Sequence, residues 1–95
     1  MKLKTIKSEL FSSSYCIFVD QNNAEHYKKE LEKNNLIEKG IRILNAKFNN
    51  DTSCIVIPEH CECHQIRETL WNNRKGGGFW PQWGMGYEGK EWELV

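Results

Sequence analysis

The stretch from Tyr15 to Pro58 constrains this chain most, because it strings an apolar run, an amphipathic helix pattern and two further apolar runs together. Tyr15-Cys16-Ile17-Phe18-Val19 has high strand propensity and lies between Ser12-Ser13-Ser14 and Asp20-Gln21-Asn22-Asn23, which reads as a strand and then a stop. Asn22 is suited to cap a helix, with Glu25 three residues on. Ala24, Tyr27 and Leu31 then recur at helical spacing, with Lys28, Lys29, Glu32 and Lys33 on the wet side. Glu25–Lys29 and Lys28–Glu32 are i,i+4 pairs worth about 0.3 kcal/mol each. Asn34-Asn35 ends the helix. A second strand is predicted from Ile41 to Phe48, and Asn49-Asn50-Asp51 turns the chain into a third at Cys54-Ile55-Val56-Ile57. Pro58 ends that strand, since proline cannot donate to a ladder.

Beyond Pro58, Cys63, Ile66 and Leu70 form a second helical stripe that Trp71 widens. Glu59 and Glu62 suit its first turn, and Arg74 and Lys75 suit its C-terminal end. Glu91-Trp92-Glu93-Leu94-Val95 alternates and reads as a closing strand. The order β-α-β-β-α-β predicts an α+β fold, a ferredoxin-like two-layer sandwich with a long Gly/aromatic loop before the last strand. Residues 1–13 are an N-terminal arm, able to pair as an edge strand, and 14–95 are one domain with its loop at 76–90. Strands one and three should sit centrally, apolar on both faces. Both helices cover one face, so the arm, the aromatic loop or a partner chain has to cover the other. If that face stays open, two copies can pair through it as a homodimer.

Ninety-five residues allow one modest core. No apolar run approaches the ~20 residues of a bilayer span, and no secretory pattern follows Met1-Lys2-Leu3-Lys4. A cytoplasmic protein without membrane association is expected. Net charge is zero, with nine basic and six acidic residues before position 49 and four against seven after it. That balance counts against a broad electrostatic grip on phosphates. Cys16 and Cys54 lie in apolar strands and read as buried thiols.

His60, Cys61, Cys63 and His64 place four metal-ligating side chains within five residues. On a helix, His60 and His64 share a face, so two of the four could meet one zinc ion. Four cannot close a tetrahedron from so short a run, and the spacing is not that of a zinc knuckle. The expected role is structural: Cys63 in the core, the histidines in water, and no metal or other cofactor.

Residues 76–89 hold six of the seven glycines and four of the eleven aromatics. Gly84, Gly86 and Gly89 match a G-x-G-x-x-G spacing, but neither a preceding strand nor a following helix is predicted, as a dinucleotide site requires. Phe79, Trp80, Trp83 and Tyr87 beside Arg74 and Lys75 could stack a base, at roughly 1–3 kcal/mol per base. The competing reading puts Trp80 and Trp83 in the core, as is usual for tryptophan in a small domain. No serine–histidine–acid or activated-cysteine pattern is present, His26 belongs on the solvated side of the first helix, and no enzyme is expected.

The run Cys16-Ile17-Phe18-Val19-Asp20, the helix to Leu31-Glu32-Lys33-Asn34-Asn35-Leu36-Ile37-Glu38-Lys39, Ile41-Arg42-Ile43, and Ile55-Val56-Ile57-Pro58 resemble the small N-terminal domain of archaeal-type tRNA guanine-N1 methyltransferases. Glu91-Trp92-Glu93-Leu94-Val95 is similar to that domain's last strand. The resemblance covers residues 15–60 and the final five. It implies binding of structured RNA at the tRNA elbow without catalysis, because the methyl-donor site belongs to later domains. The expected function is therefore a non-catalytic RNA-binding module acting through Arg74, Lys75, Phe79, Trp80, Trp83 and Tyr87. Two alternatives follow from the neutral charge and the Trp-rich loop: a small protein-binding inhibitor or interaction protein, virus-encoded in one form, and a binder of a nucleotide-like small ligand.

Overall fold

A computed structural model describes residues 5–7, 15–83 and 90–95. It is an α+β domain in which one antiparallel sheet carries two helices. The strands are β1 (Thr5–Lys7), β2 (Tyr15–Asp20), β3 (Arg42–Ala46), β4 (Thr52–Ile57), β5 (Phe79–Trp83) and β6 (Glu91–Leu94), in the spatial order β1-β6-β3-β4-β2-β5. The helices are α1 (Ala24–Lys33) and α2 (Cys63–Asn72). No helix among the described residues is long and apolar enough to cross a membrane.

Alternation along the strands builds two layers. Tyr15, Ile17, Val19, Ile43, Ile55 and Ile57 face the helices and pack with Tyr27, Leu31, Ile66 and Leu70. Cys16, Leu44, Ala46, Cys54, Val56 and Trp92 form a second buried cluster on the opposite face. The six side chains of this cluster are buried within the single chain, whereas Phe18 and Leu94 beside them are only partly covered. Part of its cover is aromatic: Trp92 packs on Phe18 and meets Phe48 edge-on, 5.2 Å between centroids. Of the arm, Thr5–Lys7 pairs with β6 as an edge strand.

The predicted loop 76–90 needs correction, because Phe79–Trp83 is a strand paired with β2 along its whole length. Flanking glycines and Pro81 made it look like a loop. Its aromatics have high strand propensity, and proline is tolerated on an outermost strand, where its missing N–H points away from the neighbour. The chain thus meets β2 on both sides, β4 and β5. The closing strand lies at the far side, between β3 and β1. Gly84, Gly86, Tyr87 and Gly89 lie outside the described residues; a strand does lead into this glycine run, but β6 follows where a dinucleotide site needs a helix.

The start of α1 also differs from expectation. Gln21–Asn23 is a 3-10 turn, and no side chain caps the helix that begins at Ala24. Asn23 points its amide elsewhere, donating to the Lys75 carbonyl at 3.1 Å.

Candidate functional site

Strand alternation divides the aromatic segment between two faces. Phe79, Pro81 and Trp83 stand opposite Val19, Ile17 and Tyr15, on the helix side, whereas Trp80 and Gln82 stand opposite Phe18 and Cys16. The Trp80 indole N–H donates to Gln82 Oε1 on that second face. Trp80 is 67% exposed and Trp83 57%, so the core reading of both is wrong. The fully buried tryptophan is Trp92. Trp80 and Trp83 cannot belong to one stacking platform, and Tyr87 lies outside the described residues.

On the helix side the rings do converge. Trp83 meets Tyr15 edge-on at 5.0 Å, and Phe79 lies 5.3 Å from Trp71 and 6.3 Å from Tyr27. The Arg74 guanidinium sits 3.8 Å over the Trp71 ring and donates to the Trp71 carbonyl. Such a cation–π arrangement fixes the indole and keeps a positive charge beside it.

A clamp from α1 sets the position of β5. The Lys75 N–H donates to the Tyr27 hydroxyl at 3.1 Å, and the Lys75 carbonyl accepts from Tyr27 and Asn23. His26 Nε2 donates to the Asn73 carbonyl at 2.6 Å, so this histidine has a structural role and is only partly in water. Burial pushes the Tyr27 hydroxyl above its ordinary pKa, and the bond from the Lys75 backbone opposes the rise. Gly76 turns the chain at φ +73°, a conformation that a side chain disfavours.

Between α2 and β5 the surface forms a groove of about 430 Å³, lined by Arg67, Glu68, Trp71, Asn72, Phe79 and Pro81. Arg67 spans its wall and donates to the Tyr15 hydroxyl at 3.1 Å. Arg67, Arg74 and Lys75 form no ion pair among the described residues, where the salt bridges run from Lys47 to Glu91 and Glu93. Arg67 and Trp71 were not legible as site residues. Trp71 read as part of the apolar stripe of its helix, and only the approach of β5 gives the pair a facing wall. A larger hollow of about 580 Å³ near the start of α2 mixes Glu38, Lys39 and Glu62 and brings no aromatic ring other than His60.

The histidine–cysteine run is dispersed. The helix begins only at Cys63, so His60 and Cys61 precede it and the shared face expected for His60 and His64 does not form. His60 and His64 are exposed, Cys61 donates to the Lys39 carbonyl, and Cys63 packs against the core. Among the described residues no group of three or more His, Cys, Asp or Glu side chains could hold a metal ion. Cys16 and Cys54 are buried free thiols, and burial together with the Cys16 thiol pushes the Cys54 thiol well up.

No family model, curated protein or solved structure matches this chain.

Proposed function

We propose that this chain is a non-catalytic RNA-binding module that takes unpaired nucleotides, as presented by a structured RNA such as a tRNA, into the groove between α2 and β5. One observation carries the reading. Arg67 and Arg74, which have no carboxylate partner among the described residues, flank the exposed Trp71 and Trp83 and the half-buried Phe79. Exposed rings take stacked bases, and the guanidinium N–H groups not already used donate to phosphate oxygens. Lys75, whose backbone is held by Tyr27, adds a third charge at the same end. The neutral net charge limits the grip to this patch.

The chain order supports a ferredoxin-like reading in which β5, not β6, is the fourth strand. The run β5-β2-β4-β3 then forms the four-stranded unit, and β6 and β1 extend it. The likeness to the tRNA methyltransferase domain rests on residues of β2, α1, β3, β4 and β6, none of which lines the groove.

The test is a titration of the full chain with tRNA and with a single-stranded decamer at several salt concentrations. Association that weakens with salt, at a slope of about two to three phosphate contacts, is expected. Absence of any association at low ionic strength sinks the reading. A second reading, contact with a protein partner, is favoured by Trp80, which stands on the opposite face from the groove. Equal losses of RNA affinity in Trp80→Ala and Trp83→Ala would remove the reason for it.

A further inference from the structure

We infer that the α2–β5 groove selects guanine among the four bases, an inference that rests on the RNA-binding reading of the same groove. Its volume of about 430 Å³ lies within the range of small-ligand sites, so a nucleotide fits. Trp71, Phe79 and Pro81 supply the apolar walls against which a planar ring can lie. Arg67 spends one guanidinium donor on Tyr15 and keeps others for a phosphate.

What remains of the lining is polar and directional. Glu68 and Asn72 lie one turn apart on α2 and both line the groove. The Glu68 carboxylate makes no ion pair, and neither side chain makes a hydrogen bond, among the described residues. A carboxylate accepts only, through two oxygens side by side. Guanine is the base whose Watson–Crick edge offers two adjacent N–H donors, at N1 and N2, to match both oxygens. Adenine and cytosine offer one amino group beside an acceptor that the carboxylate repels. Uracil places a single N–H between two carbonyls. Arg67, the neighbour of Glu68 on α2, lines the same groove and supplies the positive charge for a phosphate, which leaves Glu68 to discriminate by the base edge.

The experiment uses fluorescently labelled U-rich decamers with a central G, A, C or U, titrated into the full chain and into Glu68→Gln. A good bidentate pair discriminates by roughly 1–3 kcal/mol, so the G decamer should bind about tenfold more tightly than the others. Glu68→Gln, an exposed change that leaves the arginines and rings in place, should reduce that preference to about twofold or less. Four decamers that bind alike, with the same salt dependence, overturn guanine selection and leave the RNA reading standing. A preference for G that survives in Glu68→Gln overturns the role of the carboxylate. No binding by any decamer removes the RNA reading and this inference together.

Discussion

At the scale of single residues, burial separates the tryptophans. Trp92 is fully enclosed between Phe18 and Phe48, whereas Trp80 is two-thirds exposed. Trp92→Ala should cost about 3–5 kcal/mol in denaturant unfolding, since it leaves a large cavity. Trp80→Ala should stay within about 0.5 kcal/mol of wild type. The thiols divide the same way. Cys16 and Cys54 are fully buried, and the raised Cys54 thiol withholds the reactive thiolate. A thiol-reactive dye should label Cys61 and Cys63 in the native chain and all four cysteines after unfolding. From spacing alone, residues in β2 and β4 were legible as core because both their faces are apolar. Trp80 and Trp83 were not, because a tryptophan on an edge strand and one in a core look alike in one dimension.

At the scale of elements, the connection between α2 and β5 is held by side chains from α1. Tyr27→Phe leaves the Lys75 N–H without its partner and should cost about 1 kcal/mol. Its pH dependence has a definite sign. The fold favours the protonated phenol, so its contribution is full below pH 10.0, the ordinary tyrosine value, and is lost as pH rises through the raised folded value. Stability measured against pH should therefore fall more steeply above that point in wild type than in Tyr27→Phe. Within the same connection, Gly76→Ala should cost about 1 kcal/mol because of its positive φ. Gly77→Ala, where an added Cβ meets nothing within 4 Å, should be nearly neutral. Helices α1 and α2 were legible from their apolar stripes, but α2 begins at Cys63, later than the first turn read at Glu59 and Glu62. Strand β5 was not, because its glycine and proline neighbours carry the local signals of a loop and its pairing with β2 is remote in sequence.

At the scale of the whole molecule, β5 forms one border of the sheet and β1 the other. An open border invites pairing with a second copy, and Pro81 deprives the middle of β5 of the donor that such pairing would use. Pro81→Val restores that N–H beside the exposed Trp80 and Trp83, and light scattering should show concentration-dependent self-association absent from wild type. The groove itself also belongs to this scale. Arg67 and Trp71 come from α2 and Phe79 and Pro81 from β5, and Arg67 is anchored on Tyr15 of β2. The sequence by itself determined the two helices, the apolar strands β2 to β4, the alternating β6 and the absence of a metal-knuckle spacing, because each follows from local periodicity and residue chemistry. Only the tertiary structure decided that Phe79–Trp83 joins the sheet, that its aromatics split between two faces, and that Arg67 comes to line a groove beside them. The physical reason is that strand pairing and its two-residue alternation are set by a partner strand some sixty residues away in the chain.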